Sequence, residues 1–397
     1  MRNRLTRVVA LVCVLTVTLP PLAPAFQEEG FVRIGTMGEL SGPIQAFGHQ
    51  AFGGMKIAIE EINAKGGVMV QGKRVPLKLI PEGAYDTQTN PAITLAMWKK
   101  LIEADSPLMV ANFVSSGNTE ALFKNIADSG TKVPTLSIIS SAGKLSKITP
   151  YGFRWSIFEP EQIGDLLQKM NKQFGFKTAG LVVLKDERYS TLTAEEAFIP
   201  GAKKAGIQIV ETVEILTKDT DVSAQVSRLK AANPDIVMLA SVVGGAANIL
   251  REAQRRGLKP KLWLGCNGTN NPELFKIAGP AAEGLVMRSG FHDELPRAAD
   301  VTAKVKKLFN QEMNFWHSVG YESIHAIAQA IEAAQIKNTR ESLQEDRERF
   351  REAFAKGTYF GFAGPIKFDA EREAGKPAVS VVYRGGKLRT WDEKALP

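Results

Sequence analysis

Cysteine is almost missing from this chain. Cys13 and Cys266 are the two present in 397 residues. Cys13 falls in an N-terminal leader, so the mature chain has no second thiol with which to close an internal disulfide. Histidine is scarce as well: His49, His292, His317 and His325 have no metal-ligand spacing, and a metal is not expected. No GxSxG elbow occurs, and no serine has a histidine and an aspartate at recognisable spacing. Acidic residues are plentiful, but none stands out in an apolar setting as a tuned acid or base. No lysine or arginine run is interleaved with aromatics, so nucleic acid is not an expected partner. The net charge of +8 is mild, and three leader arginines contribute to it. Residues 67–74, GVMVQGKR, come near a phosphate-binding loop. Arg74 stands where that loop needs a hydroxyl, and a helix precedes it where a strand belongs, so Gly66-Gly67 reads as a helix C-cap before a hairpin. Nothing points to a cofactor.

What is present begins with an export signal at 1–25. Arg2, Arg4 and Arg7 precede the apolar run Val8–Thr18, and Ala23-Pro24-Ala25 offers the small-x-small pattern of a cleavage site. Pro20 and Pro21 stop the run short of the 20 or so residues a membrane span needs. A cleaved signal is expected, with an uncleaved anchor as the alternative. Val12 stands where a small residue should precede a lipidated cysteine, so Cys13 does not read as a lipoprotein anchor. The mature chain of about 370 residues exceeds one core, and a two-domain body is expected.

Strand and helix then alternate to the C-terminal region. Strands are expected at 75–80, 108–114, 133–138, 179–184, 207–213, 236–240 and 261–264. Asn90-Pro91 is a helix start, with Asn as cap and Pro in the first turn. Helices are also expected over 118–127, after Thr193, after Asp221 and over 246–256. Repeated βα units of this kind predict parallel sheets covered by helices on both faces. In such sheets ligands bind beyond the carboxyl ends of the strands. The first strand leads to Leu40-Ser41-Gly42-Pro43 and Phe47. The 108–114 strand, closing on Phe113 and Val114, delivers Ser115-Ser116-Gly117 to a helix start. The 133–138 strand delivers Ile139-Ser140-Ser141. Hydroxyls and free N–H groups at a helix N-terminus suit a carboxylate. Read separately, either serine pair is more often an ordinary cap or turn; the two at consecutive strand ends together point to a site.

The motifs SGP from Ser41, INAKGG from Ile62, FVSSGNTEA from Phe113 and FRW from Phe153 occur in that order. ILREAQRRGLK from Ile249, GYESIHAIAQAI from Gly320 and GPIKFD from Gly364 follow. Together they resemble the leucine/isoleucine/valine-binding protein family, the type I periplasmic proteins that serve ABC importers, over essentially the whole mature chain. The resemblance implies an α/β fold of two doubly wound parallel-sheet lobes joined by three hinge strands, with ligand held between them. Lobe one would comprise 26–155 and 290–357, and lobe two 156–289 and 358–397. The crossings would lie near Trp155–Phe158, Leu285–Ser289 and Thr358–Phe362. It also implies a periplasmic monomer that passes a small carboxylate to an inner-membrane permease, and not an enzyme. A sensor built on the same fold is the alternative.

Carried over residue by residue, Ser115 matches the family's carboxylate-binding serine, and Ser141 a threonine that contacts an α-amino acid. Ile139 matches a small residue, Phe47 and Trp316 aromatic walls, and Tyr189 a tyrosine of lobe two. Val242 replaces a second tyrosine. Asn267 replaces the acid that pairs with the ligand's ammonium. An enclosed ammonium without an anion costs several kcal/mol. That departure points to an aromatic or branched organic acid without an amine, with Phe113 as a further wall. The alternative is a hydrophobic amino acid whose charge partner is Glu159, in Phe158-Glu159-Pro160.

Overall fold

Apolar strand runs, buried on both faces, account for the main architecture, which the computed structural model describes for residues 30–397. The expected leader lies outside the described residues. Strands β1 (Val32–Gly38), β2 (Leu77–Asp86), β3 (Met109–Phe113), β4 (Thr135–Ser137) and β5 (Gly152–Arg154) form a five-stranded parallel sheet. Its order is β2-β1-β3-β4-β5. β3 is buried at every residue, as a strand covered on both faces requires. β2 runs on past Pro81, where the sequence reading ends it. A proline is tolerated there because β2 is an edge strand.

Helices α1 (Gln45–Ala64), α2 (Pro91–Lys100) and α3 (Ser116–Ser129) connect these strands. The Asn90 side chain accepts the Ala92 and Ile93 N–H groups at 2.9 and 3.2 Å, the expected cap. Helix α3 starts two residues before the expected Asn118. Residues 68–70 and 73–75 pair as an antiparallel hairpin, so the near phosphate-loop motif is a turn.

The chain leaves this sheet after Arg154 and enters α4 (Glu159–Phe174). A second sheet then repeats the first. Strands β6 (Thr178–Leu184), β7 (Gln208–Ile215), β8 (Ile236–Ala240), β9 (Leu262–Leu264) and β10 (Leu285–Ser289) are parallel in the order β7-β6-β8-β9-β10. Helices α5 (Arg188–Thr193) and α6 (Val243–Arg256) follow β6 and β8. After β10 the chain returns to the first sheet through α7 (Ala299–Phe309), α8 (Phe315–Ala334) and α9 (Leu343–Lys356). The return is tight: a Cβ on Gly54 of α1 would lie 2.0 Å from the His317 carbonyl oxygen, and one on Gly320 of α8 would lie 1.9 Å from that of Ala51. Only glycine permits that approach.

The last crossing differs from expectation. β11 (Thr358–Tyr359), β12 (Ile366–Phe368) and β13 (Ala374–Gly375) form a small antiparallel sheet that stays with the first body. Phe368 packs on Phe153, Trp155 and Phe354, and Arg154 Nε donates to the Glu373 carboxylate at 2.5 Å. Aromatic packing thus retains 358–375, and the chain crosses beyond Gly375 and not at Thr358–Phe362. It then adds β14 (Val379–Arg384) and β15 (Lys387–Thr390) to the second sheet as an antiparallel ribbon, so that sheet is mixed at one edge.

Lys376 lies in this last crossing, fully inside. Its ammonium pairs with Glu322 of α8 and sits 5.9 Å from the Trp155 ring and 5.6 Å from the Phe315 ring. A Cβ on Gly290, in the second crossing, would come within 2.9 Å of its Cε. All three crossings therefore meet one buried ion pair. Removing one member leaves the other charge uncompensated, which costs about 3–5 kcal/mol. Lys376→Met is expected to lose about that much in urea denaturation. Adding Glu322→Gln is expected to restore most of it.

Candidate functional site between the two sheets

Each sheet reverses its order at a switch point, between β1 and β3 in the first and between β6 and β8 in the second. Ligands of open α/β sheets gather outside the carboxyl ends at such points. Here the two points face each other across one small cavity, in the place where such sheets hold ligands. Ile44 and Phe47 reach it from beyond β1, Ser115 and Ser116 from β3, and Ile139 and Ser141 from β4. Glu187 and Tyr189 come from beyond β6, Val242 from β8, Gly268 from β9 and Trp316 from α8. A larger hollow, lined in part by Phe275, Phe291 and Tyr383, opens from neither switch point.

The bodies are closed on each other. Trp316 Nε1 donates to the Asn270 carbonyl at 2.7 Å, and its ring meets Phe47 edge-on at 4.9 Å. Asn271 Nδ2 donates to Gln50 Oε1 at 3.0 Å, and Arg188 Nε to Glu120 Oε2 at 2.9 Å. Arg188 also covers Gly117: a Cβ there would lie 2.7 Å from the Arg188 Cβ.

Eight of the residues singled out from sequence line the cavity: Phe47, Ser115, Ser116, Ile139, Ser141, Tyr189, Val242 and Trp316. Phe113, Val114, Ser140 and Asn267 do not. Phe113 is not a cavity wall. Its ring lies over Gly38, whose missing side chain leaves the space, and stacks on Phe52 at 5.3 Å inside the first body. Val114 is likewise buried away from the cavity. Ser140 turns inward to donate to Ser116 Oγ at 3.1 Å. The Asn267 side chain reaches Ser156 Oγ at 3.4 Å, while its backbone N–H serves the site.

Three carboxyl groups surround the cavity, and sequence reasoning passed over two of them. Glu39 follows β1 and is fully buried. Its Oε1 accepts the Ser115 N–H at 2.9 Å and Asn118 Nδ2 at 2.7 Å. The helix N–H assigned from sequence to a ligand carboxylate is therefore taken by the protein's own acid. Burial pushes the Glu39 carboxyl up to about 8, against which the Ser115 and Asn118 hydrogen bonds act. Glu187 caps α5: its oxygens accept the Tyr189 N–H at 3.1 Å and the Ser190 N–H at 2.8 Å. Burial raises its pKa too.

Glu159 is the third. Its Oε1 accepts Tyr189 Oη at 3.0 Å and the Asn267 N–H at 2.6 Å. Its Oε2 accepts Ser141 Oγ at 3.1 Å and Thr193 Oγ1 at 3.2 Å. Burial again raises the pKa, opposed by these four donors. None of the three acids makes an ion pair among the described residues. The reading that no acid sits in an apolar setting is thus corrected. The periodicity of β1 places Glu39 just past a buried strand end, and that position was the available signal. Among the described residues no cluster of histidine, cysteine or acid side chains is arranged to hold a metal. Cys266 is buried, with Sγ 3.4 Å from the Ser241 carbonyl.

Two mirrored α/β bodies closed over a cleft at their switch points define a solute-binding protein. Residues 32–383 match the family model for periplasmic binding proteins, and the chain belongs to that family. It is 27% identical to the Leu/Ile/Val/Thr-binding protein of Salmonella typhimurium over 71% of this chain and 74% of that one. It is 26% identical to the leucine-, isoleucine-, valine-, threonine- and alanine-binding protein of Pseudomonas aeruginosa over 85% and 86% of the respective chains. The crystal structure of a leucine-binding protein from Thermotoga maritima superposes with a TM-score of 0.78 at 25% identity, covering 91% of this chain and 97% of that one. Among the described residues no helix is long and apolar enough to cross a membrane.

Glu39 gives this site a pH signature. Its folded pKa, about 8, lies above the ordinary 4.5. Its contribution is therefore full below pH 4.5 and is lost as pH rises through 8, at roughly 1.4 kcal/mol per unit while the unfolded group alone is ionised. Glu39→Gln, which keeps an acceptor for Ser115 and Asn118, is expected to flatten that slope. Melting temperatures at pH 5.5 and 8.5 should converge in the variant relative to the parent.

Proposed function

We propose that this protein captures a small carboxylic acid with an apolar body outside the cytoplasm and hands it to an ABC permease. The ligand class comprises hydrophobic or branched-chain amino acids and aromatic or branched organic acids. The observation that carries this reading is the cavity itself: Ser115, Ser116, Ser141 and Tyr189 line it together with Phe47, Ile139, Val242 and Trp316. Apolar walls take the ligand's body by excluding water, and the hydroxyls orient its polar end. No lysine or arginine lines the cavity, so an acid is held by dipoles and released without breaking an ion pair. The names of the 26–27% identical relatives, all amino-acid binders, support the class.

Capture would proceed by closure. A ligand resting on the first body is covered when the second brings Tyr189 and Gly268 over it, and the closed form gains contacts the open form lacks. The site's chemistry favours binding over turnover: Ser141 and Tyr189 donate to a carboxylate, not to a histidine base.

Titration calorimetry with leucine, phenylalanine, benzoate and 4-hydroxycinnamate tests the class. Saturable binding of at least one is expected, and silence across this panel and a wider set of small acids would remove the proposal. Closure has its own test. Gly117→Ala places a methyl against Arg188 only when the bodies meet. It is expected to weaken ligand binding about tenfold, or 1.4 kcal/mol. The melting temperature of ligand-free protein should not fall, because alanine is the better helix former.

A further inference from the structure

The hollow away from the switch points has no part in the capture argued above, and its walls come from both bodies. Phe275, Tyr383 and Leu388 belong to the second body, and Phe291, Met313 and Phe315 to the first. Phe275 stacks on Tyr383 at 6.2 Å. These side chains form an apolar shell of the kind that takes the body of a small ligand.

Most polar groups in that shell are already spent. Tyr383 Oη donates to the Asn271 carbonyl at 2.7 Å. His292 Nδ1 accepts the Glu294 N–H at 3.2 Å, and its Nε2 lies 3.3 Å from the Leu388 carbonyl oxygen. Two amides are left over. Asn270 and Asn314 line the hollow, both more than nine-tenths buried, and the Nδ2 of each has no hydrogen-bond partner among the described residues. The orientation of Asn314 is fixed, because its Oδ1 accepts the Trp316 and His317 N–H groups at 3.0 and 3.3 Å. Its NH₂ is therefore the unpaired end. Buried donors are normally paired, and these two lack an acceptor in the protein. The rim has charges of both signs, Lys276 and Lys387 with Asp293 and Glu312. Lys276 pairs with Glu273 at 2.6 Å and Glu312 with Lys306 at 3.1 Å, so the rim does not select an ion.

We propose that this hollow is a second binding site, for a small uncharged aromatic molecule that carries a carbonyl oxygen. The ring fills the apolar shell, and the oxygen supplies the acceptor that the amides lack. Asn270 and Asn314 also hold Trp316 of the cleft: the Asn270 carbonyl accepts its Nε1 at 2.7 Å, and Asn314 caps its backbone N–H. An occupant touching both bodies here favours their closed arrangement, and a ligand in the cleft favours the occupant in return.

Ligand-observed NMR with acetophenone tests the site, with ethylbenzene as the analogue in which a methylene replaces the carbonyl. Acetophenone is expected to bind saturably, and about tenfold more tightly than ethylbenzene because only it pairs the buried amides. Asn270→Ala, which keeps the backbone carbonyl bonded to Trp316, should cut that preference severalfold. Phe275→Ala should weaken both compounds; if it does not fold, Leu388→Ala takes its place. An acid that occupies the cleft should tighten acetophenone about threefold. Unchanged affinity with the cleft filled overturns the coupling alone. Absence of saturable binding means that the hollow holds water only, and overturns the site. Equal affinity for the two compounds, a preference untouched by Asn270→Ala, or displacement of acetophenone by the cleft acid overturns it as well. If no acid binds the cleft, the capture of small acids falls, while acetophenone binding still decides this site.

Discussion

Four donors converging on one carboxylate organise the cleft. Glu159 opens α4 at the first crossing, where the chain has just left one sheet for the other. Ser141 approaches it from the first sheet, and Tyr189, Thr193 and Asn267 from the second. A buried carboxylate left unpaired is costly, and each hydrogen bond to it is charge-assisted. The group therefore holds loops from both bodies in register. Ser141 and Tyr189, which face the ligand space, inherit their orientation from it.

The same logic of burying charge only where it is compensated governs the hinge. Lys376 and Glu322 meet where all three crossings pass, among the rings of Trp155 and Phe315. Glu39 is different. With neutral donors and no cation beside it, its proton is retained near neutrality. Three buried acids thus have three roles: Glu159 orders the cleft, Glu322 ties the crossings, and Glu39 occupies the helix end that a ligand anion was expected to use.

Much of the fold was legible in the sequence because βα alternation and apolar strand runs are local signals. The 236–240 strand and the Asn90 cap emerge where periodicity and capping place them. The third crossing was not legible. Thr358–Phe362 resembles a hinge by motif, but Phe368, Phe354 and Trp155 hold it to the first body through long-range packing. At the site, strand-end hydroxyls were readable because they follow strands. Phe113 and Ser140 fall outside the cavity lining because long-range contacts claim them: the Phe113 ring fills the space over Gly38 against Phe52, and the Ser140 hydroxyl turns to Ser116. Glu39 and Glu187 escaped because an acid's burial is set by elements distant in sequence.

Trp316 spans the two bodies in a way the other indoles do not. Its ring is a wall of the cavity, and its N–H is bonded to a backbone carbonyl of the opposite half, at Asn270. Separation of the halves breaks that bond and moves the indole from an apolar surround into water. The protein accordingly carries its own optical gauge of opening, read as a red shift in tryptophan emission without any attached dye.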